Sequence, residues 1–217
     1  MPVRKVGVLG SGSVGEALAN GFLRHGYEVT RGSRDPRKLD AWRAGAGERA
    51  ARGSFADAAR AADLVVLAVK GTAAEDAVRL AGTSNLAGKI VVDATNPIAE
   101  VAPTNGVLHF FTTLEDSLME RLQRLCPDAR FVKAFSSVGN ALMVNPDFGG
   151  VKPTMFICGN DAEAKREVTA ILERFGWEAE DCGGAEGARA IEPLCMLWCI
   201  PGFARNEWTH AFKLLRK

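Results

Sequence analysis

Residues Lys5 to His25 constrain the fold more than any other stretch of the chain. A short apolar run, Val6, Val8 and Leu9, breaks into Gly10-Ser11-Gly12-Ser13-Val14-Gly15, and an amphipathic segment from about Ser13 to His25 follows. Each glycine has a mechanical reason. Gly10 permits a tight turn, Gly12 lets an anion approach the main chain, and Gly15 lets the next helix pack close to the strand. Ala17, Leu18, Gly21 and Phe22 form the inner stripe of that helix. Its N-terminus aims free N–H groups and a positive dipole end at whatever sits on the turn, which suits the pyrophosphate of a dinucleotide. A strand, glycine turn and helix of this kind predict an α/β chain with a Rossmann-type doubly wound parallel sheet.

The next strand, Tyr27 to Thr30, ends where a chain specific for NAD keeps an Asp or Glu for the ribose 2′-hydroxyl. No carboxylate stands between Arg31 and Ser33. Ser33 offers a hydroxyl instead, Arg34 a planar fork suited to phosphate, and Lys38 a second positive charge one helical turn on. This pattern predicts NADP(H). The competing reading makes Arg31, Arg34, Arg37 and Lys38 a solvated basic face balanced by Asp35 and Asp40, and the glycine motif just upstream weighs against it.

With 217 residues, 47% of them hydrophobic, the chain has material for one large domain and a small companion. Its net charge of +1 is spread evenly, which points to neither nucleic acid nor an anionic membrane surface as a partner. Lys5 leads directly into a strand with no signal-like apolar region, and no apolar run reaches the roughly 18 residues of a membrane span, so the expected location is cytoplasmic. The cysteines, 126, 158, 182, 195 and 199, read as small buried hydrophobes, and no metal site is expected from their spacing.

Further strands are expected near Arg49 to Arg52, Leu64 to Val69, Lys89 to Val92 and Arg130 to Phe135, with helices over Pro36 to Ala44, Phe55 to Ala62, Ala73 to Leu80 and Leu114 to Leu125. Polar residues gather at the strand ends, at Lys70-Gly71, at Asp93 to Pro97 and at Ser136 to Asn140, where open α/β sheets bind ligands. Ile98 to Thr113 reads as a surface loop and candidate lid. A break at Asn145-Pro146 and Gly149-Gly150 divides an NADP-binding domain, residues 1–150, from a smaller C-terminal α/β unit, 151–217. In that unit a strand over Thr154 to Cys158, a helix over Ala162 to Phe175 and a strand over Trp177 to Asp181 precede a stretch, Ala188 to Ile200, that is apolar on all sides. Such a helix packs on another domain or another subunit, which predicts a homodimer.

Val8 to Gly15, Gly32-Ser33-Arg34, Asp93-Ala94-Thr95-Asn96-Pro97 and Lys133-Ala134-Phe135 occur together with Pro153 to Gly159, Glu192-Pro193-Leu194 and Ala211 to Leu215. In this order and over nearly the whole length the chain resembles the coenzyme F420-dependent NADP oxidoreductases and, more distantly, the reductase domain of the STEAP metalloreductases. The resemblance implies direct hydride transfer between NADP(H) and the deazaflavin F420, in a cleft closed by the small unit. It implies that Ser11, Gly12, Ser13 and Val14 hold the pyrophosphate, that Ser33, Arg34 and Lys38 hold the 2′-phosphate, and that Val69 and Lys70 lie along the cofactor. Asn96-Pro97 and the end at Ser136, Val138 and Gly139 would flank the two rings. The chain departs from the family at Lys70, where an apolar residue or proline is expected, and at Ser136 and Gly139, which replace bulkier groups.

Transfer between two bound rings asks for placement rather than a catalytic acid, and no catalytic residue stands out. His25, at a helix C-terminus, reads as a dipole contact, and His109, in the candidate lid, as a loop histidine. Lys70 reaches a ligand anion or points to solvent; Asn96 hydrogen-bonds a nicotinamide ribose or forms a turn before Pro97. Two rivals stand beside the F420 reading: a reductase of a flavin or a small organic substrate, and a non-enzymatic NADP(H) redox sensor.

Overall fold

The structure, a computed structural model, describes residues 3–217. Six strands, β1 (Lys5–Leu9), β2 (Glu28–Gly32), β3 (Ala50–Gly53), β4 (Leu64–Leu67), β5 (Ile90–Asp93) and β6 (Arg130–Lys133), form one parallel sheet in the order β3-β2-β1-β4-β5-β6. The order reverses between β1 and β4, so the turns after these two strands face a common crevice. Every residue of β4 and β5 is buried, as expected of central strands covered on both faces.

Helices α1 (Ser13–Arg24), α2 (Asp40–Gly45), α3 (Phe55–Ala61), α4 (Ala74–Ala81), α5 (Thr83–Leu86) and α6 (Leu118–Leu125) cover the sheet. The expected helix at 114–125 begins only at Leu118, because a capping box sets its start. Ser117 Oγ accepts from the Glu120 N–H at 3.1 Å, and the Glu120 carboxylate accepts from the Ser117 N–H at 2.9 Å. The segment before it, read from sequence as loop, carries short antiparallel bridges, Ile98 to Phe110 among them.

Strands β7 (Thr154–Ile157) and β8 (Glu178–Asp181) form a separate parallel pair joined by α7 (Ala162–Arg174), and α8 (Ala188–Arg205) closes the chain's regular structure. The Lys133 N–H donates to the Cys158 carbonyl at 2.9 Å, linking the end of β6 to the end of β7. Apolar residues from both sides of residue 150 share one core: Val6, Phe22 and Val29 pack in the same cluster as Val168, Ile171, Phe175 and Trp177. The last helix runs five residues beyond the expected Ile200 and holds Pro193 and Pro201 within it. Cys126, Cys158 and Cys195 are buried as expected, whereas Cys182, beside Gly183, is exposed.

Candidate functional site

The turn after β1 is dictated by backbone crowding. Gly10 has φ of +151°, and a Cβ there would stand 2.1 Å from the Ala68 carbonyl oxygen. Gly12 behaves in the opposite way. A Cβ added to it meets nothing within 4 Å, so the space above the loop is open. Gly12 also occupies the N-cap of α1, where no side chain caps the helix. The first N–H groups of the helix therefore face open space, which suits an anion.

Two cavities flank this loop. The smaller, of about 370 Å³, is lined by Gly10, Ser11, Gly12, Ser33, Arg34 and Lys38, and also by Val69 and Lys70. The larger, of about 660 Å³, is lined by Gly12, Ser13, Val14, Val69, Lys70 and Asn96, and by Ile98, Ala99 and Glu100 of the expected lid. Gly12, Ala68, Val69 and Lys70 line both, so the two form one groove across the sheet's switch point.

Charge is distributed unevenly along that groove. Asp35 is engaged by Arg37 at 2.9 Å, which holds its carboxyl below the usual range. Asp40 pairs with Arg52. Among the described residues no carboxylate lies at ion-pair distance from Arg34 or Lys38, both exposed, while Ser33 is buried beside them and accepts from the Asp35 N–H at 3.2 Å. The smaller cavity thus presents a hydroxyl and two cations without a direct ion pair, beside Asp35 and Asp76, whose carboxylates are paired with Arg37 and Arg79, and a phosphate monoester can use all three.

The basic-face reading fails at Arg31. Its side chain is 1% exposed and lies behind the glycine turn, with the guanidinium 4.9 Å from the Trp42 ring centre. The signal was present in the strand's period of two, which places Arg31 on the same inward face as Val29.

Lys70 points outward, its side chain 81% exposed and 3.7 Å from Glu100. Asn96 donates from Nδ2 to the Ser136 carbonyl at 2.9 Å, while its Oδ1 is buried without a partner. Pro97, Ser136, Val138 and Gly139 line neither cavity. The reason at Gly139 is Trp198 of α8: a Cβ on this glycine would stand 2.6 Å from the indole, so the expected floor for a second ring is already covered. Ser136 and Val138 are buried, and Ser136 Oγ, like Asn96 Oδ1, has no partner. In place of these residues the groove takes Ile98, Ala99, Glu100 and Thr72, which no periodicity in their own segment marks out.

The histidines stand away from both cavities. His25 meets Asn145 Oδ1 at 3.1 Å, His109 meets Thr104 Oγ1 at 2.8 Å, and His210 meets the Trp198 carbonyl at 2.9 Å. No helix among the described residues is long and apolar enough to cross a membrane.

Residues 5–97 match the family described as NADP oxidoreductase, coenzyme F420-dependent. Over 203 residues the chain is 32% identical to the metalloreductase STEAP3 of Rattus norvegicus, covering 91% of this chain but only 38% of that protein. It therefore spans little more than a third of the length of that metalloreductase. It is 29% identical over 204 residues to the F420-dependent NADP reductase of Methanothermobacter marburgensis, covering 89% of this chain and 90% of that one. A solved structure from Arthrobacter sp. FB24, described as a proposed F420-dependent NADP reductase, superposes with a TM-score of 0.91 at 34% identity, covering 99% of this chain and 100% of that one.

Proposed function

This chain belongs to the family of coenzyme F420-dependent NADP oxidoreductases, an NADP-linked oxidoreductase by that membership, and we propose that it passes a hydride between NADPH and a deazaflavin of the F420 type. The observation that carries the proposal is the single groove whose narrower end gathers Ser33, Arg34 and Lys38 and whose wider end opens past Gly12 and Asn96. NADPH, when bound, supplies the hydride from its nicotinamide. The chain's own residues do the placing.

Ser33, Arg34 and Lys38 hold the 2′-phosphate, and the backbone from Ser11 to Val14 receives the pyrophosphate at the start of α1. Val69 and Lys70 flank the cofactor where the two cavities meet. Asn96 Oδ1, buried and unpartnered, offers an acceptor to the nicotinamide ribose. Ile98 and Ala99 form the opposite wall and exclude water from the acceptor's side of the groove. The cellular setting that goes with this reading is cytoplasmic, and the assembly is a homodimer.

The test is direct. NADPH deuterated on the transferring carbon is mixed with the protein and F420, and deuterium is sought in the reduced deazaflavin. Retention of the label supports direct transfer. Oxidation of NADPH by a flavin or a small organic acceptor, with F420 inert, would replace the acceptor in this proposal. Tight NADPH binding with no acceptor turned over would leave a redox sensor.

A further inference from the structure

Arg31, the fourth residue of β2, is the largest charged side chain that the fold buries, and the expected phosphate contacts give it no task. Its Nε points to the Gly10 carbonyl at 3.4 Å and its Nη2 to the Gly12 carbonyl at 3.2 Å, while Nη1 lies 3.4 Å from the Glu16 carboxylate. The flat side of the guanidinium rests on Trp42, whose indole N–H is fixed by Asn20 Oδ1 at 2.8 Å. A buried cation is costly unless its donors are used, and here two of the three contacts are to main-chain oxygens of one turn.

The consequence follows from peptide geometry. A trans peptide holds its C=O and the following N–H antiparallel, so fixing the Gly10 carbonyl toward Arg31 turns the Ser11 N–H the other way, and the Gly12 carbonyl, shared between Arg31 and the Glu16 N–H at 3.0 Å that opens α1, does the same for the Ser13 N–H. Neither N–H donates to a protein acceptor among the described residues. They are the donors that a diphosphate on this loop would take.

We propose that Arg31 is a positioning residue for the dinucleotide diphosphate: from behind the glycine turn it holds the Gly10 and Gly12 carbonyls, so that the loop's N–H groups are aimed at the phosphates before the cofactor arrives. Preorganised donors cost no reordering on binding. Part of the guanidinium's charge also acts through the loop, since its counter-ion Glu16 is half-exposed and screened by solvent. The role belongs to the diphosphate that NADPH and NADH share, and so it is distinct from that of Arg34. It rests on the NADP(H) reading of the groove.

The test compares wild type, Arg31→Met and Arg31→Lys by calorimetric titration with NADPH, NADH and adenosine 2′-monophosphate, which has the 2′-phosphate but no diphosphate. In Arg31→Met, NADPH and NADH should weaken together by about tenfold to a hundredfold, with adenosine 2′-monophosphate within about twofold of wild type. Lysine keeps the charge but cannot serve both carbonyls, so Arg31→Lys should weaken both dinucleotides by about three- to tenfold. If Arg31→Met does not fold, the lysine variant carries the test. Dinucleotide affinities equal to wild type, or a parallel loss for adenosine 2′-monophosphate, overturn the proposal. Wild-type protein that binds no NADPH would instead defeat the reading of the groove.

Discussion

The ammonium of Lys133, at the end of β6, lies 2.9 Å from the carboxylate of Glu192 on α8, with both side chains sealed from solvent. Asp93 Oδ2 stands at ion-pair distance, 2.7 Å, and the ammonium donates a hydrogen bond to the Thr95 carbonyl at 2.9 Å. Glu192 in turn accepts from the N–H groups of Leu118 and Met119, at the start of α6, at 3.1 and 3.0 Å. One lysine and one glutamate thus tie β5, β6, α6 and α8 together, and Lys133 also holds the Thr95 carbonyl, next to Asn96 in the chain. The second carboxylate charge is borne by the helix N-terminus.

Removing the cation should hurt more than neutralising one anion. Lys133→Met leaves two carboxylates buried without their cation and should destabilise by about 3–5 kcal/mol, whereas Glu192→Gln leaves Lys133 paired with Asp93 and should cost roughly 1–3 kcal/mol. Urea unfolding checks the order, and a reversed order would contradict it. Burial works to lower the Lys133 pKa, but Asp93 and Glu192 outweigh it and raise the value. A raised folded-state pKa gives stability that is complete below the unfolded value of about 10.4 and declines only above it, so this penalty should be flat across neutral pH.

A second link between the same helices titrates at the acid end. Arg189 on α8 grips Glu120 on α6 at 2.6 Å, and this hydrogen bond, helped by Ser117 against the opposing effect of burial, lowers the Glu120 pKa to about 2. Because the folded-state pKa is depressed, the contribution is complete above the usual value of 4.5 and fades as pH falls toward 2. Glu120→Gln should therefore be less stable than wild type at pH 7, with the gap closing through that acid window. Parallel melting-temperature curves for the two proteins from pH 6 to about 2.5 would refute this assignment.

Arg34→Ala tests the choice of dinucleotide. Only a 2′-phosphate uses this exposed guanidinium, so NADPH should weaken by about tenfold to a hundredfold and NADH should hardly change. Equal losses for both would remove Ser33, Arg34 and Lys38 from the 2′-phosphate site. The contrast with Arg31, whose loss should weaken both dinucleotides, separates two arginines three positions apart in sequence.

Legibility differed between the two halves of the groove for a physical reason. The turn from Gly10 to Gly15 and the triplet Gly32-Ser33-Arg34 are local: spacing along the chain decides what their backbone can do, and the sheet order β3-β2-β1-β4-β5-β6 follows from that unit. The wall at Ile98 to Glu100 depends on how an aperiodic segment folds back, with Ile98 bridging Phe110, and nothing in its own residues announces that. Gly139 misled for a related reason. Its strand end and the resemblance placed it beside the rings, whereas Trp198, 59 positions later, packs against it. Arg31 was legible in the strand's alternation but was outweighed by the charged residues that follow it. The buried Lys133 pair has no local signature, since its partners come from β5 and α8.

The proposed homodimer should be built through α8. Cys195 and Trp198 of this helix are turned into the protein, while Leu197 and Phe203 remain exposed at 53% and 48%. Half-buried already, each such side chain gains about half of the roughly 1.5–3 kcal/mol of full burial, and a twofold interface counts each twice. Light scattering at micromolar concentration should give the dimer mass for wild type and the monomer mass for Leu197→Asp combined with Phe203→Asp. A wild-type monomer, or a variant dimer, would place the interface elsewhere or remove it.

The proposed acceptor's position can be tested at Ala99. Ala99 lines the larger cavity, and its N–H is held by the His109 carbonyl at 2.7 Å, so the backbone at this position is fixed. Ala99→Trp puts a large ring into the wide end of the groove while leaving the narrow end, with Ser33, Arg34 and Lys38, untouched. Hydride transfer needs donor and acceptor carbons at about 3–3.5 Å, and a misplacement of about 1 Å is enough to cost a hundredfold. Turnover with F420 should therefore fall by about a hundredfold or more, while the dissociation constant for NADPH stays within about threefold. An equal loss of NADPH affinity would mean that the nicotinamide occupies the Ala99 side of the cavity. Undiminished turnover would mean that the acceptor approaches from another direction.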